Sequence, residues 1–179
     1  MTTLVDIQNT YNFYTDKNTV HSYLPEYDKI FCTIPEIKNV LEIGIHLGGS
    51  LLLWSKYFPP TTNIYCVDVY LKNLNEQHYT IPNVTVIQKD VCTCTENFLQ
   101  PILFDLIIDD GSHYLKDQLH VYDTFKSRLT PGGVLLIEDI QPDNLQFFAE
   151  ICKQDPQATI IDLRNIKHKV DDVILMYKN

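Results

Sequence analysis

Basic side chains are scarce in this chain. Its 179 residues carry 14 Lys and Arg against 23 Asp and Glu, a formal net charge of −9. A surface that tracks nucleic-acid phosphates needs clustered Lys and Arg, and no such run occurs. Nucleic acid is therefore not an expected partner. Long apolar runs are also missing. None approaches the roughly 20 residues that span a bilayer, so no membrane span is expected. The opening Met-Thr-Thr-Leu-Val-Asp has neither a basic nor an apolar stretch of a secretion signal. The five cysteines (32, 66, 92, 94 and 152) form no C-x-x-C pair, and Cys92-x-Cys94 has no second pair at zinc spacing. Unpaired thiols suit a reducing, cytoplasmic setting. No repeat, linker or low-complexity segment breaks the chain. One domain over 1–179 is expected, with a helical, aromatic-rich extension at 1–36 and a core at 37–179.

What is present is an alternation of short apolar runs and helical patterns. Strands are expected at Asn39–Gly44, Asn63–Asp68, Val84–Gln88, Asp105–Asp109, Val134–Ile137, Thr159–Leu163 and Val173–Tyr177. Helices are expected at Ser50–Tyr57, around Thr95–Leu99, at Leu115–Leu129 and at Asp143–Lys153. Pro131-Gly132-Gly133 reads as a turn. The last two strands lie too close together for a crossover and suit an antiparallel pair. The sum is an α/β, doubly wound, mainly parallel seven-stranded sheet.

The apolar runs stop at acids. Phe-Asp-Leu-Ile-Ile ends at Asp109-Asp110, followed by Gly111-Ser112-His113, and Val-Leu-Leu-Ile ends at Glu138-Asp139. Ligands in an open α/β sheet bind outside the carboxyl ends of the strands. Neighbouring strands lie about 4.8 Å apart, so Asp110, Glu138 and Asp139 would crowd one place. Carboxylates so crowded repel, and a divalent cation removes the conflict, with all-oxygen ligands favouring Mg²⁺ and leaving Mn²⁺ and Ca²⁺ open. Glu138 and Asp139 can share an ion only if the strand has ended by then, because successive strand residues face opposite ways. His113, near the next helix, is placed to take a proton from a substrate hydroxyl. Its plainer reading is a cap or packing residue, and Asp109's is a support for the strand end.

The first strand runs into Glu42-Ile-Gly44-Ile-His46-Leu-Gly48-Gly49-Ser50. A dinucleotide site wants G-x-G-x-x-G, but His46 stands where that motif needs its second glycine. E-x-G-x-x-x-G instead resembles the first motif of class I S-adenosylmethionine-dependent methyltransferases. Asp68, closing the second strand, can accept hydrogen bonds from ribose hydroxyls. Asp90, after the third, can hold an adenine amine, with Val91 beside the ring. Each of these also has a plain reading as a turn glycine or a helix cap.

Asp109-Asp110-Gly111-Ser112-His113, Gln118, Pro131-Gly132-Gly133 and Glu138-Asp139 resemble the macrocin/mycinamicin-type sugar O-methyltransferases, relatives of which carry a cephalosporin hydroxylase label. Thr15-Asp16-Lys17 with His21, Tyr23 and Tyr27, and Asp162-Leu163-Arg164 with Asp171-Asp172, extend the likeness over nearly the whole chain. The resemblance implies a Rossmann-like methyltransferase using S-adenosylmethionine and Mg²⁺ on a sugar hydroxyl of a glycan or glycoside. It implies Asp110, Glu138 and Asp139 as metal ligands and His113, with Asp110, as catalytic. It places Glu42, Gly44, Gly48, Ser50, Asp68, Val69, Asp90, Val91, Asp109, Lys17, His21 and Tyr23 near the cofactor. This chain lacks the larger N-terminal portion of some relatives, so the chemistry transfers better than the acceptor. A catechol-like diol acceptor and a non-catalytic, methyltransferase-like binding module remain open, as does assembly into a homo-oligomer.

Overall fold

The computed structural model describes residues 2–179; Met1, which opens the expected extension, lies outside them. Two helices come first, α1 (Leu4–Tyr11) and α2 (Tyr23–Phe31). Thr3 caps α1 with its hydroxyl while the Asp6 carboxylate accepts from the Thr3 amide, satisfying two otherwise orphan N–H groups. The core then alternates β1 (Asn39–Ile43), α3 (Gly49–Tyr57), β2 (Asn63–Asp68), α4 (Glu76–Tyr79), β3 (Val84–Gln88), β4 (Phe104–Asp109), α5 (Leu115–Phe125) and β5 (Leu129–Ile137). It closes with α6 (Leu145–Gln154), β6 (Ala158–Asp162), α7 (Arg164–Lys167) and β7 (Val173–Lys178). Among the described residues no helix is long and apolar enough to cross a membrane.

The seven strands form one sheet in the order β3-β2-β1-β4-β5-β7-β6. The first five pair in parallel, and β7 runs antiparallel between β5 and β6. Both faces are covered, which is why the central runs are continuous rather than alternating. Val40, Leu106, Ile108 and Leu136 pack under α2 and α3. Leu41, Ile107, Leu135 and Ile137 pack under α5 and α6 with Phe125 and Phe148. Sequence order reverses between β1 and β4, so the crevice of this sheet opens at their carboxyl ends.

Three local expectations differ from the structure. Residues 96–101 form turns, not a helix. The buried Arg128 guanidinium donates to the carbonyls of Glu96, Phe98, Leu99 and Ile102, taking acceptors that a helix would use. The helix begun at Leu115 stops at Phe125, and Leu129 already belongs to β5. Pro131-Gly132-Gly133 lies within β5, where the pairing jumps from Phe104–Leu129 to Leu106–Val134. The extra residues bulge out, and Gly132 takes φ +80° there.

Candidate active site

The cavity at the switch point measures about 940 Å³, at the upper end of small-molecule clefts. Its walls include Gly44, His46 and Ser50 beyond β1, Asp68 and Val69 at the end of β2, Asp90 and Val91 beyond β3, and Asp109, Asp110 and His113 at the end of β4. Tyr14, Thr15 and Asp16 close it from the N-terminal segment.

The glycine turn is shaped by the protein itself. Gly44 has φ +86°, and a Cβ there would meet the Asp110 carbonyl oxygen at 1.9 Å. That approach lets the Asp110 amide donate to the Ile43 carbonyl at 2.8 Å, joining the β1 and β4 ends. Gly48 has φ +79° under the His78 ring, and a Cβ on Gly49 would meet the Tyr14 carbonyl oxygen at 1.8 Å. The Asp68 carboxylate accepts from the Ile45 and His46 amides at 2.7 and 3.0 Å and from Tyr70 at 2.9 Å. Asp90 accepts from the Cys92 amide at 2.9 Å.

At the ends of β4 and β5 the acids are arranged in two layers. β5 stops at Ile137, and Asp139 has φ +56°, a left-handed turn that re-aims the chain. This removes the alternation that would send Glu138 and Asp139 to opposite faces. Lys17, fully buried, donates to Asp110 Oδ2 at 2.6 Å and to both Glu138 oxygens at 2.7 Å. Tyr27 also donates its hydroxyl to Glu138, and Tyr23 donates to Asp139 Oδ1. These two tyrosines, four apart on α2, share one face and stack with His21 in a column. Gln118 Nε2 holds the Glu138 carbonyl at 2.8 Å.

Of the outer layer, Asp110 and His113 line the cavity, and Asp139 stands behind them. His113, at φ +58°, sets Nε2 3.5 Å from Asp139 Oδ2 and 3.9 Å from Asp110 Oδ1. Asp110, His113 and Asp139 each offer a ligand atom, and those atoms lie within 4.8 Å of one another. His46, His113 and Asp139 all hold left-handed backbone, and such strain concentrates at functional sites.

Burial sets the charge states. Asp109 is pushed up to about 8 by desolvation, reinforced by the neighbouring Asp110. Desolvation also raises Asp139, against the opposing hydrogen bond from Tyr23. Burial alone would lower Lys17, but Asp110, Glu138 and Glu42 outweigh it and hold the ammonium charged.

A family model described as a methyltransferase domain matches residues 41–140. The chain belongs to this methyltransferase family. Within the methyltransferases, it is 28% identical over 85% of its length to the 8-demethyl-8-alpha-L-rhamnosyl tetracenomycin-C 2'-O-methyltransferase of Streptomyces olivaceus. It is 34% identical over 68% of its length to the demethylmacrocin O-methyltransferase of Streptomyces fradiae. The chain spans only 42% and 32% of these two relatives. Among solved structures, the MycE methyltransferase from the mycinamycin biosynthetic pathway, in complex with Mg and SAH, superposes with a TM-score of 0.70 at 25% identity. That match covers 98% of this chain and 54% of MycE.

The methyltransferase cleft brings together most residues expected there, with informative departures. Glu42 is not in the cavity wall. It lies buried beneath it, accepting from the Trp54 indole at 2.8 Å, because its place on β1 turns it toward α3. Gly48 sits behind the wall against His78. Lys17, His21 and Tyr23, expected beside the cofactor, instead back the acids of β4 and β5. Glu138 points inward to Lys17 and Tyr27. Sequence reasoning missed Tyr27 as a site residue, although its spacing from Tyr23 signalled a shared face.

Proposed function

We propose that this chain is an S-adenosylmethionine-dependent O-methyltransferase domain that uses Mg²⁺ and acts on a sugar hydroxyl. One observation carries the reading. Asp110 and His113, on the wall of a cavity that also takes in the β1 turn, Asp68 and Asp90, converge with Asp139 just behind them. The names of the rhamnosyl and demethylmacrocin relatives, and the Mg and SAH of the MycE structure, support the acceptor and cofactors.

The residues suit both groups. Gly44, Ser50, Asp68, Val69, Asp90, Val91 and Asp109 would seat the methyl donor along the strand ends. Asp110 and Asp139 would hold the cation, since hard carboxylate oxygens favour Mg²⁺. Bound there, the cation would lower the acceptor hydroxyl's pKa, and the donor would supply the sulfonium methyl. His113 Nε2 takes the hydroxyl proton, because it is the half-exposed base beside the carboxylates. The carboxylates of Asp139 and Asp110, 3.5 and 3.9 Å from that nitrogen, favour the positive imidazolium that results through their charge. Thr15 and Asp16 close the mouth and present hydrogen-bonding groups to a polyhydroxylated acceptor.

Thermal unfolding with S-adenosylmethionine, with Mg²⁺, with both and after chelation tests the ligands. A donor at a hundredfold excess over Kd should raise Tm by roughly 5–10 °C. No shift at saturation rejects the donor. Methyl transfer to rhamnosyl glycosides is expected, and turnover confined to catechols would reject the sugar.

A further inference from the structure

The acids at β4 and β5 do not share one role. Each of Asp110 and Asp139 is divided between two surroundings. Asp110 Oδ2 faces Lys17 at 2.6 Å while Oδ1 faces His113 at 3.9 Å. Asp139 Oδ1 takes the Tyr23 hydroxyl while Oδ2 faces His113 at 3.5 Å. Glu138 is not divided. Both its oxygens lie 2.7 Å from the Lys17 ammonium, and one also takes the Tyr27 hydroxyl. Its side chain is 1% exposed, against 23% for Asp110 and 11% for Asp139.

Lys17 is held as firmly as the acids it meets. The Tyr23 and Leu24 amides donate to its carbonyl at 3.0 and 3.4 Å. On the far side, the Lys167 ammonium donates to the Asn18 and His21 carbonyls. The ammonium is thus a fixed part of the centre, carried in by a segment anchored at both ends. A buried charge is tolerated only when it is paired, and here Lys17 and Glu138 each supply what the other lacks.

We propose that Lys17 is the resident counter-cation of this centre: it commits Glu138 to an inner anchor and leaves the outward oxygens of Asp110 and Asp139 for the divalent cation. The proposal rests on the methyltransferase reading for that cation and deepens it by assigning the carboxylates. Lys17 and Glu138 are positioning residues. Their pairing also lets the cluster stand while no divalent ion is bound.

The test uses the full chain without acceptor. It compares the parent with Lys17→Met, Glu138→Gln, the double variant and Asp139→Asn. Mn²⁺ affinity is read by electron paramagnetic resonance, and melting is followed in chelator and in Mg²⁺. Asp139→Asn, which removes an outward carboxylate, should weaken Mn²⁺ binding by at least about tenfold more than Glu138→Gln does. Lys17→Met should melt on the order of 10 °C lower in chelator, because it strands buried carboxylates. Mg²⁺ should raise its Tm more than the parent's. The double variant should recover at least half the loss, the sign of a coupled pair.

Equal loss of Mn²⁺ affinity in Glu138→Gln and Asp139→Asn would overturn the assignment, making Glu138 a ligand. A double variant that melts at the sum of the single losses would overturn the pairing. If Lys17→Met does not fold, the Mn²⁺ comparison still decides. Absence of Mn²⁺ binding in the parent would reject the cation reading itself, and the melting cycle in chelator would then judge Lys17 and Glu138 alone.

Discussion

Asp68 and Asp90, on one side of the cleft, take hydrogen bonds from backbone amides at most 23 residues away. Asp110, Glu138 and Asp139, on the other, take theirs from side chains 93 to 121 residues away. The two sides therefore stabilise charge by different means. These amides are in place once β1, α3 and β2 come together, and they need no distant segment. Distant ammonium and hydroxyl groups arrive only when the N-terminal segment docks, so the acid side inherits its order from long-range packing. The side of Asp68 and Asp90, the donor side of the proposed function, reads as a pre-formed cradle and the acid side as an assembled machine part.

The largest expected effect falls on the acid side. His113→Ala should keep affinity for S-adenosylmethionine, measured by calorimetry, and lose roughly 10²–10⁴ in turnover. Parent-like turnover would remove His113 as the base and with it the functional contrast between the sides.

Glu42 sharpens the contrast because it is the donor side's exception, a buried acid held by an indole. Its carboxyl is pushed from 4.5 up to about 7, by burial first. Between those values the unfolded chain has released a proton that the folded chain keeps. Raising the pH through this window therefore lowers stability, by up to about 3 kcal/mol, and above it the penalty is constant. Glu42→Gln should remove this contribution and leave a shallower slope, carried by the other buried acids such as Asp109, in denaturant titrations across pH. Identical slopes in parent and variant would show that Glu42 ionises freely.

The smallest effect should come from Asp68→Asn. The amide oxygen still accepts from Ile45 and His46 while the Tyr70 bond is lost, so urea unfolding should show a loss of about 1 kcal/mol. A loss beyond about 2 kcal/mol would make the donor side as dependent on charge as the acid side.

The same division decided what could be read from the sequence. The strands from Asn39 to Asp109 and the acids that end them were legible, because buried parallel strands leave continuous apolar runs and ligand-side residues follow them directly. The partners of those acids were not. Nothing in the spacing of Lys17, Tyr23 and Tyr27 relates them to Asp110 or Glu138, since that contact exists only in the folded chain. Glu42 was misplaced for a related reason: its position in the motif was visible, but the face of β1 that carries it was not. The helix expected near Thr95 failed to form because Arg128, which captures its carbonyls, belongs to another part of the chain.

Trp54 is the chain's one tryptophan. Its indole donates to Glu42, and its ring lies 6.2 Å from Tyr27, whose hydroxyl reaches Glu138. The protein thus carries a built-in fluorophore wired to both halves of its cleft. Its emission, followed without any label, offers an optical record of how the buried acids respond to pH, to cations and to changes at Lys17.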